Sequence, residues 1–149
     1  MNVTGTISAV LKGKTKDIWT VTPEATVFEA IQLMADKNVG ALLVTENDRL
    51  IGVISERDYT RKVMLKGKTS KETKVRDICT VTPFVITPND SVEDAIRSMS
   101  NHRVRHLPVM DGAALVGIVS IGDLVNWIIT AQGAAIRQLE SYIHGHASE

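Results

Sequence analysis

Hydrophobic positions first recur at a helical period near residue 27. The apolar side chains lie at the spacing i, i+3, i+4 and i+7, as Val27, Ala30, Ile31 and Met34. This spacing places one apolar stripe along one face of a helix. Thr26 comes just before the stripe and Glu29 three residues later, which is the pattern of a capping box. The pattern therefore predicts an amphipathic helix that begins at Thr26.

Two β-rich runs follow that helix, at residues 39–44 and 50–54. The turn-prone segment Glu46-Asn47-Asp48 separates them, so the two runs predict a β-hairpin. A second helix is predicted from Ser55 to about Leu65. A short strand near Trp19–Val21 can lead into the first helix, which gives the order β-α-β-β-α.

The same pattern returns 65 residues later without a gap. The matched positions have identical side chains, and they pair Thr22 with Thr87, Val27 with Val92, Ala30 with Ala95, Met34 with Met99, Leu42 with Leu107, Gly52 with Gly117, Ser55 with Ser120, and Asp58 with Asp123. In the second copy the hairpin turn falls at Asp111-Gly112, the helix cap at Ser91 and the leading strand near residues 84–86. So long a match at constant offset indicates an internal repeat.

A unit of about fifty residues buries too little apolar surface to be stable alone. We therefore expect an α/β (α+β) fold in which tandem β-α-β-β-α repeats pack sheet against sheet about a pseudo-twofold axis. Two related clefts then form between the copies. Helix N-termini, whose free N–H groups suit an anion, open into these clefts.

The pattern divides the chain into five segments. These are an N-terminal helical or linker segment (1–17), repeat one (18–65), a polar linker with a helical turn (66–80), repeat two (81–130) and a helical tail (131–149). The tail is amphipathic, and Gly133 predicts a kink or a break within it.

Composition narrows the possible functions. Seventeen basic and seventeen acidic side chains cancel, so no overall field favours nucleic acid or an anionic membrane, and phosphate binding would have to be local. No apolar run is long enough for a membrane span. The single cysteine, Cys79, cannot form an internal disulfide, so we expect a buried thiol and a cytoplasmic location.

Four segments together resemble the CBS-domain pair, or Bateman module, in its small stand-alone form. They read VGALLV (39–44), GVISERD (52–58), RVRHLPV (103–109) and GIVSIGD (117–123). The resemblance covers about residues 18 to 130. It implies a regulatory module without catalysis or a catalytic cofactor, which binds an adenosine-containing ligand such as AMP, ADP, ATP, NAD(H) or S-adenosylmethionine. It also implies a homodimer and a regulated partner protein.

The resemblance implies ribose contacts at the Ser-x-x-Asp junctions, Ser55/Asp58 and Ser120/Asp123, in at least one of the two copies. A carboxylate can accept hydrogen bonds from two adjacent hydroxyls, which suits a ribose. The same pattern also caps a helix without any ligand, and both roles can hold together.

Phosphate contacts are implied at Arg105 and His106, and Arg57 lies where it can meet a phosphate or simply face solvent. In the first copy the equivalents of Arg105 and His106 are Gly40 and Ala41, which can offer only backbone groups to a base. The two pockets should therefore differ in preference. The Thr-Pro step before the first helix of each copy also matches the family and adds Thr22 and Thr87, and the 39–44 segment adds Val39, to the expected nucleotide-binding residues.

The aromatic and histidine side chains give weaker indications of a binding site than the segments above. Trp19 and Phe84 occupy equivalent positions and can stack on adenine, but an aromatic residue that flanks a strand is more often in the core. His102 and His106 show no third ligand partner in the sequence, so no metal site is expected.

Three rival functions remain open. The first is a structural dimerisation or docking module with vestigial pockets, which the apolar tail and the missing charge in the first copy would support. The second is an enzyme such as a nucleotide hydrolase, but neither a positioned base nor a metal site is evident. Nucleic-acid binding ranks last on charge.

Overall fold

The computed structural model describes residues 5–14, 17–81 and 83–147. In chain order the elements are α1 Ile7–Lys12, β1 Thr20–Val21, α2 Val27–Lys37, β2 Ala41–Glu46, β3 Arg49–Ser55, α3 Glu56–Tyr59 with a π-helical turn Thr60–Met64, α4 Val75–Ile78, β4 Thr80–Val81, α5 Val92–His102, β5 His106–Asp111, β6 Ala114–Ser120 and α6 Ile121–Ala147.

The two repeats are built on the predicted helices, α2 and α5. The hydroxyl of Thr26 accepts a hydrogen bond from the Glu29 N–H at 3.1 Å, and Ser91 accepts from the Asp94 N–H at 2.9 Å. Each cap satisfies an N–H group that has no partner within the helix. Both helices therefore begin where the sequence predicted.

Each hairpin begins two residues later than the sequence predicts, at residue 41 rather than 39 in the first copy and at residue 106 rather than 104 in the second. Asn38 ends α2 and the equivalent Arg103 ends α5, both in the left-handed conformation, with φ of 55° and 54°. The next residue, Val39, donates its N–H to the Met34 carbonyl at 3.0 Å and so completes the end of the helix. The strands β2 and β5 can start only after this turn. Asn47 and Asp48 form the predicted hairpin turn with positive φ.

The segment predicted as a linker belongs in part to the core of the first repeat. Val75 and Ile78 of α4 are 0% and 2% exposed and pack in the cluster that contains Val27 and Met34. β4 then pairs with β3 as the edge of a four-stranded sheet of order β1-β2-β3-β4. The polar stretch thus ends in elements that complete the first repeat.

The N-terminal helix makes the reciprocal exchange. Ile7 and Val10 of α1 are 0% and 4% exposed, and they lie in the core cluster of the second repeat. The Ile7 N–H donates to the Asp90 carbonyl at 2.9 Å, which fixes α1 beside the start of α5. The second sheet holds β5 and β6, and the strand expected at 84–86 is reduced to a single bridge between Ile86 and Val109.

The two sheets face each other across a small third cluster. Ala41, Leu43 and Val53 are buried there and meet Leu115 and Ile118 of β6. β2 is therefore covered on both faces, which accounts for the unbroken apolar run in its sequence. The predicted α+β fold with two packed repeats is confirmed.

The last helix, α6, runs without interruption from Ile121 to Ala147. The break predicted at Gly133 is therefore wrong, because a single glycine costs a helix only about 1 kcal/mol relative to alanine. Apolar side chains remain exposed along α6, with Ile129, Leu139 and Ile143 at 64%, 60% and 55%. Among the described residues, no helix combines the length and apolar character that a membrane crossing requires.

Candidate functional site

A cleft of about 920 Å³ opens between the two repeats. The first repeat lines it with residues 40, 53, 55–58 and 61–62, and the remainder of the lining is 80–81, 83–84 and 102–107. The volume lies in the range of pockets that hold small molecules and cofactors. We call this space the basic cleft.

The Ser55/Asp58 junction lies in the wall of the basic cleft and forms a complete capping box. Asp58 Oδ2 accepts from the Ser55 N–H at 2.9 Å and from its hydroxyl at 3.1 Å, while the Asp58 N–H donates to Ser55 Oγ at 3.2 Å. The capping interpretation is thus confirmed. The other carboxylate oxygen, Oδ1, lies 3.1 Å from Lys62 Nζ.

Positive charge is concentrated in this cleft. Five of its lining side chains are cationic and two are acidic, namely Arg57, Arg61, Lys62, Arg103 and Arg105 against Glu56 and Asp58. The chain as a whole carries no net charge, so the excess is local. Converging cations of this kind attract an anionic group, and guanidinium groups bind phosphate oxygens in pairs.

His106 adds a half-buried imidazole beside Arg105. Burial lowers the pKa of His106, and Lys14 and Arg105 lower it further, whereas Asp123 acts in the opposite direction. The imidazole approaches the backbone of Gly40, where an added Cβ would lie 3.6 Å from its ring atoms. The backbone of the first repeat therefore comes close to a titratable side chain of the second.

The two equivalent aromatic residues have different environments. Phe84 is 51% exposed in the basic cleft and stacks on the His102 ring with centroids 3.5 Å apart, so the core placement predicted for it is wrong. Trp19 packs against the core of the first repeat, as predicted, with Lys37 Nζ 4.3 Å from its ring centre. Of these two residues, Phe84 lines the basic cleft and Trp19 does not.

β3 and β4 pack closely next to Thr80, which lines the basic cleft. A side chain at Gly52 would collide with the Thr80 carbonyl, so only glycine lets β4 pair closely with β3 there. Cys79 next to it is buried as predicted, and burial raises the pKa of its thiol. This thiol is therefore a packing group rather than a reactive thiolate.

The Ser120/Asp123 junction repeats the cap but has a different partner. Asp123 Oδ2 accepts from the Ser120 N–H at 2.8 Å, and Lys14 Nζ donates to the same oxygen at 2.6 Å. Lys14 also donates to the Ile118 carbonyl at 2.8 Å. Burial raises the pKa of Asp123, but the hydrogen bonds from Lys14 and Ser120 outweigh it and leave that pKa below its ordinary value.

The sequence comparison also finds two tandem units. The profile of the CBS domain matches residues 7–65 and 75–130. The chain belongs to the CBS-domain family. The matched ranges include α1 and α4, the two helices that the CBS repeats exchange.

Related proteins carry the same CBS pair. The chain is 39% identical over 150 residues to the mitochondrial CBS domain-containing protein CBSX3 of Arabidopsis thaliana, covering 94% of this chain and 72% of that one. A solved protein with CBS domains from Burkholderia ambifaria MC40-6 is 44% identical, with a TM-score of 0.83 over 86% of this chain and 96% of that one. The CBS domain pair of protein MJ0100, solved with 5′-methylthioadenosine and S-adenosyl-L-methionine, is 20% identical, with a TM-score of 0.73 over 83% and 94% of the two chains, and shares the fold.

The structure brings together only part of the predicted site of this CBS pair. Six of the predicted residues line the basic cleft, namely Gly40, Ser55, Arg57, Asp58, Arg105 and His106. The others lie outside that lining. Thr22 and Thr87 are exposed beside the entries to α2 and α5, Val39 packs on the core, Ala41 is buried between the sheets, and Ser120 and Asp123 form the second junction.

Sequence reasoning missed Arg61 and Lys62 as lining residues. They follow Arg57 and Asp58 by four positions each, a spacing that puts side chains on the same face of a helix. That signal was present in the sequence. The sequence did not predict the π-helical turn that carries Arg61 and Lys62, although such turns occur often at functional sites.

Proposed function

We propose that this CBS pair binds an adenine nucleotide, with its phosphates in the basic cleft, and acts as a regulatory sensor. The observation that carries the proposal is the cluster of five cationic side chains around the Ser55/Asp58 junction of a chain with no net charge. Arg105 and His106 come from one repeat and Arg57 from the other. A polyanion held by all of them contacts both repeats at once.

The ribose is assigned to Asp58. Its side chain is 14% exposed, and only the contact of Oδ1 with Lys62 must open for the hydroxyls to reach it. Lys62 is 46% exposed and lies on the same helical segment, so its ammonium can turn from the carboxylate to a phosphate at small cost. The Oδ2 atom keeps its capping role meanwhile.

The base is assigned to Phe84 and the backbone of Gly40, both of which line the cleft. An exposed ring offers a stacking surface to a purine, and backbone groups can bond the base edge. The MJ0100 pair was solved with two adenosine-containing compounds, which supports an adenosine ligand in this fold. S-Adenosylmethionine fits this chain less well, because its sulfonium would enter a cationic cleft.

Regulation follows from the shared cleft. A ligand that contacts both repeats favours one of their relative arrangements, by as much as its affinity for the two arrangements differs. A partner protein that recognises one arrangement would then respond to the nucleotide. We assign no turnover to the site, and the single buried thiol is consistent with a reducing compartment such as the cytoplasm.

The test is titration calorimetry of the purified chain with AMP, ADP, ATP, NADH and S-adenosylmethionine. At least one of the phosphate-bearing ligands should bind with a Kd below about 1 mM, more tightly than S-adenosylmethionine. D58N should weaken binding at least about tenfold by removing the charged acceptor. D48N makes the same chemical change in the hairpin turn, away from the cleft, and should bind like the wild type. Equal affinities of D58N and D48N would refute the ribose assignment, and no binding by any nucleotide would refute the function.

A second candidate function, dimerisation or docking, is favoured by the exposed apolar residues of α6. Ile129, Leu139 and Ile143 recur at helical spacing and are each more than half exposed. Light scattering should give a dimer for the wild type and a monomer for the double variant L139E/I143E. Q138E, which adds the same charge at an exposed polar position, should remain dimeric. A wild-type monomer would remove this candidate, and a dimer whose melting temperature ignores every nucleotide would favour it over sensing.

A further inference from the structure

His106 is a titratable side chain in a cleft whose other charges are nearly constant around neutral pH. The charged side chains that share the lining with it are five cations and two carboxylates. Lysine and arginine lose their protons only at much higher pH, and carboxylates gain theirs only at lower pH. Among the described lining residues, the imidazoles of His102 and His106 alone change charge between about pH 5.5 and about pH 8.

The imidazole of His106 lies at the contact between the two repeats. Its Cε1 and Nε2 atoms are 3.6 Å from the point where a Cβ of Gly40 would stand, and Glu56 Oε1 is 3.9 Å from the same point. Gly40 and Glu56 belong to the first repeat, whereas His106 begins β5 of the second. A proton on His106 therefore adds positive charge where a ligand would contact both repeats.

The surroundings of His106 disfavour that proton in the free chain. The charged groups around it come from the chain after α1, from α3, from the residue before β5 and from α6, and they are Lys14, Glu56, Arg105 and Asp123. Ser120, which pairs with His106 across β5 and β6, is uncharged. Asp123 is already bonded to Lys14 at 2.6 Å. Burial lowers the pKa of His106 more than Asp123 raises it, and Lys14 and Arg105 lower it further, so the imidazole is neutral at pH 7.

A bound polyphosphate would reverse this preference. It brings several negative charges into a cleft that His106 lines, and a nearby opposite charge favours the protonated imidazole. The nucleotide-bound chain then holds a proton at a pH at which the free chain does not. A ligand that promotes the uptake of a proton binds more tightly as the pH falls, because the two equilibria are linked.

We infer that the basic cleft couples nucleotide binding to the uptake of a proton by His106, so that the chain binds a polyphosphate more tightly as the pH falls below neutrality. This inference rests on the proposed function, since it assigns a second regulator, the proton, to the same cleft. The affinity rises as the pH falls through the pKa of the bound chain and levels off below the pKa of the free chain. A single linked proton changes the affinity by at most about tenfold per pH unit.

The first test is calorimetry with ATP at about pH 7.5 and about pH 6.0. The ratio of the ATP affinities of the wild type and H106Q should rise about three- to tenfold between the two conditions. Taking this ratio cancels the titration of ATP itself, since a phosphate monoester has a second pKa of about 6. H102Q is the matched control, because it removes the exposed imidazole of the same cleft. The ratio of wild type to H102Q should change less than about twofold.

The second test follows the imidazole of His106 by NMR and needs only the wild type for its result. The pH titration of the Cε1–H resonance should give a pKa below 6.5 in the free chain, and saturating ATP should raise it by about 1. Sulfate, a dianion that does not titrate in this range, should raise the pKa in the same direction when NaCl holds the ionic strength constant. The spectrum of H106Q assigns the resonance.

The outcomes distinguish the inference from the proposed function. If ATP binds but the ratio of wild type to H106Q is equal at both pH values, or if only H102Q removes the pH dependence, the inference is wrong and the nucleotide site stands. If no nucleotide binds at either pH, the proposed function fails. Sulfate then decides the inference by itself, because a raised pKa of His106 supports a proton-linked anion site and an unchanged pKa overturns it.

Discussion

Asp58 combines an observed structural role with the ribose role that we propose for it. Its Oδ2 atom accepts the hydrogen bonds of the capping box. Its Oδ1 atom lies next to the ammonium of Lys62, whose side chain is about half exposed. The sequence pattern left the cap and the ribose role as alternatives. The structure shows the cap and leaves one oxygen available for the other role, because a carboxylate has two acceptors.

Arg105 provides the clearest test of phosphate binding by a single residue. R105Q removes one charge-assisted contact from the basic cleft, which is worth about 1.5–3 kcal/mol, so ATP affinity should fall about 10- to 100-fold. Calorimetry measures this directly. R97Q is the matched control, since Arg97 is 59% exposed and pairs with Glu93 and Asp94 outside the cleft. Equal affinities of R105Q and R97Q would remove Arg105 from the site.

His106 predicts a pH dependence of stability. Burial holds its pKa below the ordinary value, so in the unfolded chain the imidazole takes up its proton at a higher pH than in the folded chain. The stability associated with the neutral imidazole is fully present above pH 6.5 and is lost as the pH falls towards the folded pKa. Urea unfolding of the wild type should therefore weaken more than that of H106Q between about pH 7.5 and about pH 5.5. Parallel slopes for the two proteins would contradict the assignment.

The helices and strands of this fold differ in how well the sequence predicts them. The helices α2 and α5 and both hairpins follow from helical spacing, caps and turn residues, and all four were predicted. The starts of β2 and β5 were misplaced, because Asn38 and Arg103 extend the helix ends into a left-handed turn that only the three-dimensional chain path reveals. The continuity of α6 through Gly133 was likewise missed, since one glycine is a weak signal.

The exchange of α1 and α4 was beyond prediction. Each is only four to six residues long, and the buried pair Val75 and Ile78 sits in a stretch dominated by polar side chains. Nothing local shows which repeat such a short helix will cover, because that choice depends on contacts far away in sequence. The same holds for Lys14, whose partner Asp123 lies 109 positions away.

The buried position of α4 gives a prediction for that element. I78A removes a side chain that is 2% exposed in the core of the first repeat, so the free energy of unfolding should fall by about 2–5 kcal/mol. L65A, at the last residue of repeat one, removes a leucine that is 75% exposed and should change the free energy of unfolding by less than about 0.5 kcal/mol. Denaturant titration measures both. If I78A and L65A both lowered the free energy of unfolding by the same small amount, α4 would belong to a linker and not to the core.

For the whole molecule, the exchange of elements means that neither repeat is complete without the other. β4 closes the first sheet, and α1 fills the second core. The basic cleft lies where the two halves meet, which is why we propose that a ligand there acts on their relative placement. The structure brings together only part of the predicted site, because the cleft draws its charge from two distant places in the chain. These are α3 with its π-helical turn and the segment that joins α5 to β5, which are separated by about forty residues of sequence.

Hydrogen exchange with and without ATP tests the central claim most directly, that one nucleotide contacts both repeats across the basic cleft. Saturating ATP should slow exchange in residues 55–62 and in residues 102–107 together, and leave the hairpin turn at residues 46–49 unchanged. No ATP-dependent change, or protection confined to one repeat, would contradict the account.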